Sequence, residues 1–263
     1  MDRQTDAARI TAGDSPLIAA AIHDGHALRS EIARLIALSE SDRLREEDPF
    51  TARWAEIAQT RIVGERSRFE VDLNRPRDGA VYLTPEQAWS LEVWKEPLPP
   101  EVIDRSLAMH DAFYDELRQL LDGIVEKHGR FVVYDIHSYN HRRDGPHAEP
   151  AAAARNPEIN VGTSNMPPGR WDALVARFVA DMARGDPERD RPFDVRVDVK
   201  FKGGFFSRWV HENYPDTGCS LAIEMKKFFM DEWTGEPFET EIRSVRRALE
   251  ATVPGVLEEL FSA

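Results

Sequence analysis

The chain has 263 residues, 41% of them hydrophobic, a single cysteine and a formal net charge of −13. Length alone allows one large α/β domain or two small ones, and the lone Cys219 excludes an internal disulfide and any thiolate-cluster zinc site, which fits a reducing cytoplasm. The acidity argues against a nucleic-acid or anionic-membrane partner, no stretch approaches the roughly 18 apolar residues of a membrane span, and the opening MDRQTDAARITAGD lacks the basic-then-apolar pattern of a secretion signal.

Residues 16–23, PLIAAAIH, read as a buried strand ending in His23. A short loop leads to a helix over 27–38, with Leu28, Ile32, Leu35 and Ile36 at helical spacing, and then to the charged stretch SESDRLREEDPF. A helix is expected over 52–59 and short strands over 61–63 and 68–73, the latter (RFEVDL) running into Asn74-Arg75-Pro76. The Pro-containing segment 94–100 is a linker before a long amphipathic helix over 101–128, stopped by Gly129. Residues 132–139, VVYDIHSY, follow. Their β-formers Val132, Val133 and Tyr134 carry His137 to the C-terminal end of a strand, where open α/β sheets bind ligands.

The polar segment 140–156, with Pro146 and Pro150, is a long surface loop over that site. A strand over 159–162 and a helix over 170–184 precede an alternating stretch, 195–201, broken by Gly203-Gly204. A buried strand spans 221–225, and the chain closes with a helix over 239–260 interrupted near Pro254. Strands alternating with helices predict one domain, 1–263, built on a mostly parallel sheet covered on both faces.

Polar residues gather at predicted strand ends or nearby loops in five places: His23 with His26; Glu47-Asp48; Asp72 to Arg75; Asp135 with His137 and Ser138; and Glu224. A catalytic zinc needs about three ligands from His and carboxylate plus an open position, carboxylates behind the imidazoles, and a general base that does not ligate. The chain offers a candidate for each role. Taken singly, most have plainer readings: a strand-end His is commonly a satisfied polar residue, and Glu46-Glu47-Asp48 suits a solvated acidic face. Glu224 is harder to dismiss, because it interrupts the apolar run SLAIEM and a buried carboxylate is costly unless paired or functional.

Five segments, VDLNRPRD (71–78), FVVYDIHSY (131–139), PEINVGT (157–163), FKGGFFSRW (201–209) and LAIEMKKFFMDE (221–232), together resemble the N-formylglutamate amidohydrolase family, relatives of the zinc carboxypeptidases. DLNR and HSY resemble the Asp-x-Asn-Arg and His-Ser-Tyr segments of the latter. The resemblance implies a single-domain three-layer α/β sandwich, with a mostly parallel mixed sheet and one Zn2+ per chain. It implies His23 and His137 as zinc ligands, Asp72 as the acceptor behind His23, and Asp135 as a further supporting carboxylate. Arg75 with Asn74 would clamp a substrate carboxylate, and Glu224 would act as general base. Gly203 and Gly204 would let backbone approach the substrate, and Arg208 would add an anion contact.

The family's N-terminal Pro-His-Ser-Gly is Ile22-His23-Asp24-Gly25 here. This departure leaves the third ligand open between Glu47, Asp48 and His26, which holds the Glu position of the carboxypeptidases' His-x-x-Glu; the resemblance of REEDPF to the acidic stretch after the family's first helix implies a carboxylate, Glu47 or Asp48. The implied reaction is hydrolysis of an amide in a small carboxylate-bearing molecule, N-formyl-L-glutamate giving formate and L-glutamate. The alternatives are a zinc carboxypeptidase or amidase acting on another acylated amino acid or short peptide, and a non-catalytic binding homologue.

Overall fold

The computed structural model describes residues 3–262. Its centre is four parallel strands: β3 (Leu17–Ala21), β4 (Thr60–Gly64), β5 (Phe131–Tyr139) and β8 (Gly218–Lys226). Two short antiparallel strands, β1 (Arg3–Gln4) and β2 (Ala8–Thr11), extend the β4 side. On the other side β6 (Ile159–Gly162) runs antiparallel to β8, and β7 (Val195–Val197) runs parallel to β6. The full order is β1-β2-β4-β3-β5-β8-β6-β7.

All nine residues of β5 are buried, because side chains of period two feed a separate core on each face. On one face Leu17, Ala19, Val132 and Tyr134 pack with Trp54, Phe178 and Leu249. These three come from α3 (Thr51–Ala55), α5 (Asp172–Arg184) and α7 (Glu239–Ser262). On the other face Ile18, Ala20 and Val133 pack with Phe113 and Leu117 of α4 (Pro100–His128) and with Phe206 and Val210 of α6 (Phe205–Asn213). The result is the expected three-layer α/β sandwich. Among the described residues no helix is long and apolar enough to cross a membrane.

Several local expectations are corrected. Residues 68–73 form turns, not a strand: the amides of Glu70 and Val71 donate back to the Ser67 carbonyl at 2.9 and 3.3 Å. The alternation that mimics a strand arises because the polar members are buried as well, Glu70 against Arg29 (2.6 Å) and Asp72 in the site below. The alternating run after Val195 stops at Val197, since Asp198 takes a left-handed φ of 54° and its carboxylate caps Thr163 and Ser164. Pro254 does not interrupt α7. The first helix is shorter than expected, α1 (Ser30–Leu35), and the charged stretch contains a helix of its own, α2 (Glu40–Glu46), capped by Ser39.

Candidate active site

The parallel pairing of β3 with β5 sets the chain after β3 beside the end of β5, so that His23 and His137 face each other with ring centroids 4.9 Å apart. Just after α2, the Asp48 amide donates to the His23 carbonyl at 2.9 Å, which carries the Asp48 side chain between the two rings. Its Oδ2 lies 3.4 Å from His23 Nδ1 and 3.1 Å from His137 Nδ1, while Oδ1 accepts from Ser138 Oγ at 3.0 Å. The donor atoms of His23, Asp48 and His137 all lie within 4.8 Å of one another, and all three residues are buried.

Each imidazole is oriented from behind. His23 Nε2 donates to Asp72 Oδ1 at 2.7 Å, and His137 Nε2 donates to Asp135 Oδ1 at 2.9 Å. Both Nδ1 atoms therefore point inward, the arrangement in which carboxylates orient metal-binding histidines. Asp135 is held in turn by Ser207 Oγ at 2.8 Å. Asp72 receives the Asn74 amide, Arg68 Nη2 at 2.8 Å and the Tyr82 hydroxyl. Although burial opposes its charge, Asp72 is held well below the usual carboxylate range by Arg68 and His23.

The donor set fits a metal ion. His23 Nδ1 is buried and has no hydrogen-bond partner, a costly state for a polar atom unless a ligand meets it. His137 Nδ1 instead bonds Asp48 at 3.1 Å; although burial opposes charge on it, Asp135 and Asp48 raise its pKa well above the usual imidazole value, and a bound cation would take the place of that proton. Two imidazoles and one carboxylate, with the remaining side open to a cavity, suit a dication of the zinc type. The structure does not bring the other proposed ligands to this point. Glu47 turns away, bonded by His26 and Ser67, and His26 is spent on that contact. Asp48 alone of the three candidates lies between the imidazoles.

A cavity of about 220 Å³ opens onto the cluster. Glu224 lines it and is paired in register with His137 across β5 and β8; burial pushes its carboxyl up to about 7, against the pull of His137. Arg75 also lines the cavity, with Nη2 on the Gln87 carbonyl at 3.0 Å and its guanidinium 5.3 Å from the Tyr82 ring centroid. Asn74 Oδ1 accepts the Phe206 amide at 2.9 Å, capping α6, and its amide nitrogen lies 3.4 Å from His137 Nε2 on the cavity wall.

Gly203 and Gly204 form part of the wall, for a reason the sequence did not show. A Cβ on Gly204 would lie 2.3 Å from Asn74 Oδ1, and Gly203, at φ +108°, would meet Asn165 at 2.5 Å. Arg208, expected as an anion contact, is exposed on α6 near Glu212 and does not line the cavity.

Residues without a motif of their own complete the site. Arg68 lines the cavity and stacks 4.8 Å from the Trp89 ring centroid. Trp89 and Ser90 both have left-handed backbone, with φ of 54° and 68°. Lys227, buried just after β8, donates through Nζ to the Arg45 and Glu47 carbonyls at 2.5 and 2.8 Å and so pins the turn carrying Asp48. The only trace of these in the sequence is a cation beside each motif, Arg68 before VDLNR and Lys227 after AIEM.

An α/β sandwich with a His–Asp–His donor set and a carboxylate at the carboxyl edge of its parallel strands defines the class. The sequence model of the N-formylglutamate amidohydrolase family matches residues 15–230, and the chain belongs to that family. It is 27% identical over 217 residues to the N-formylglutamate deformylase of Pseudomonas putida, covering 77% of this chain and 73% of the relative. Its fold is similar to that of an N-formylglutamate amidohydrolase from Ralstonia eutropha JMP134, with a TM-score of 0.77 at 14% identity, over 98% of this chain and 99% of that one. A gene product from Agrobacterium tumefaciens is also similar, with a TM-score of 0.63 at 15% identity over 95% and 96% of the two chains.

Proposed function

We propose that this protein hydrolyses the formyl amide of N-formyl-L-glutamate, releasing formate and L-glutamate. The observation that carries the reading is the meeting of two inward Nδ1 atoms and the Asp48 carboxylate near Glu224, on the wall of one small cavity in a chain of this family. His23, Asp48 and His137 would hold the metal, zinc in this reading. When bound, such a dication supplies Lewis acidity, polarising the amide carbonyl and making water a better acid.

The remaining work falls to side chains. Arg75 would grip the α-carboxylate of the substrate with its planar fork, helped by the Asn74 amide nitrogen, and so set the formyl carbon near the donor cluster. Glu224 would accept a proton from the attacking water and return it to the departing nitrogen as the C–N bond breaks, the oxygen of water staying with formate. A carboxyl placed near neutrality by burial suits both transfers. The test is formate release from N-formyl-L-glutamate by the zinc-loaded protein, compared with Glu224→Gln. Loss of turnover with zinc retained supports the assignment; full turnover in the variant removes Glu224 from it.

A further inference from the structure

We infer that Arg143 is the residue that reads a second negative charge on the substrate, so that the site selects dicarboxylic over monocarboxylic acylamino acids. The inference rests on the reading above, in which Arg75 takes the α-carboxylate. It starts from the loop after β5. Glu232, buried, accepts the amides of His141 and Arg142 at 2.7 and 2.8 Å and anchors the start of that loop. The next residue, Arg143, lines the same cavity as Arg75 and the His–Asp–His cluster.

Its guanidinium is positioned before any ligand arrives. Glu46, also buried, accepts one bond from each terminal nitrogen of Arg143, at 3.1 and 2.9 Å. A guanidinium carries five N–H donors, so this grip orients the fork and leaves donors free. Glu46 also pairs with Arg45 at 3.2 Å, and Arg45 reaches Glu232 at 3.4 Å, so the carboxylate that holds Arg143 is shared between two guanidiniums. Lys227 cannot serve instead, because its Nζ is spent on two carbonyls. Arg208 lies outside the cavity on the exposed side of α6.

The test compares kcat/KM for N-formyl-L-glutamate and N-formyl-L-glutamine, which differ chiefly in one side-chain charge. In Arg143→Gln the preference for the acidic substrate should fall roughly ten- to a hundredfold, mainly through KM, as expected for loss of a charge-assisted hydrogen bond. Arg143→Lys should restore part of it, and Arg208→Gln should keep the parent preference. Calorimetric titration with glutarate and butyrate gives a readout independent of turnover: Arg143→Gln should lose the parent's tighter binding of glutarate. An unchanged preference, or an equal loss for both substrates, overturns the assignment to Arg143. A parent protein that binds glutarate in this way but releases no formate overturns the hydrolase reading and leaves Arg143 as an anion contact.

Discussion

His137 and Glu224 stand side by side, one at the end of β5 and the other at the same level of β8, paired in parallel register. The pairing sets a metal-type donor and a free carboxylate on adjacent strands without help from any loop. Rigid strands hold such geometry better than loops do.

From this pair follows the acid limb of activity. Burial raises the Glu224 carboxyl to about 7, and a bound dication nearby acts in the opposite direction. Below that pKa the base is protonated and cannot accept a proton. The log of kcat/KM should therefore fall on acidification with a midpoint at or below about 7; a midpoint well above 7 would contradict the assignment. Glu224→Gln should lower kcat about 10²- to 10⁴-fold with bound metal retained.

Asp72 joins metal binding to stability. Asp72→Asn removes the negative charge behind His23 Nε2, turns an amide nitrogen toward Arg68 or His23, and strands the charge of Arg68, whose Nη2 bonds Asp72 at 2.8 Å. Chelator competition should show metal affinity reduced about 10- to 100-fold. Urea unfolding should show a loss of about 3–5 kcal/mol, the usual consequence of breaking a buried pair from one side. Unchanged metal affinity would make Asp72 purely structural.

Gly204 tests the role of Asn74. An alanine Cβ there would overlap Asn74 Oδ1 and Nδ2, at 2.3 and 2.4 Å, and push the side chain from its cap on α6. Gly204→Ala should cost about 1–3 kcal/mol of stability from overpacking and raise KM for N-formyl-L-glutamate. A parent-like KM would separate Asn74 from substrate binding.

Far from the site, Asp186 ties the loop after α5 to α7. It accepts from Arg247 at 2.8 and 3.0 Å and from Ser244 at 2.5 Å; Arg247 foremost lowers its pKa to about 2. The unfolded value is about 3.9. The folded form is the stronger acid, so the stabilisation is complete above about pH 4 and disappears as pH falls through about 2. Asp186→Asn should lose on the order of 1 kcal/mol at pH 7 and little at pH 2, by urea unfolding at the two pH values. An equal loss at both would mean that packing, not charge, makes the contact.

Much of this was legible in the sequence because the parallel strands are apolar runs with polar punctuation. VVYDIHSY and SLAIEM could hardly be anything but strands presenting His137 and Glu224. Asp48 could not be told from Glu47 by spacing, because the choice depends on a turn pinned by Lys227, a residue 179 positions further along than Asp48. RFEVDL imitated a strand because Glu70 and Asp72 are buried with partners, whereas alternation normally signals one wet face. Helix α6, whose first turn is capped by Asn74 from a distant segment, had no local start signal to read.

The central claim is that the His23–Asp48–His137 cluster holds a metal on which deformylation depends. The most direct measurement is elemental analysis of the protein before and after chelation and zinc reconstitution, with formate release from N-formyl-L-glutamate assayed in parallel. The account expects about one zinc per chain, activity lost on chelation and regained with zinc, and neither metal nor activity in a His23→Ala, His137→Ala double variant. A reconstituted protein that retains no metal, or one that releases formate equally well without it, would contradict the account.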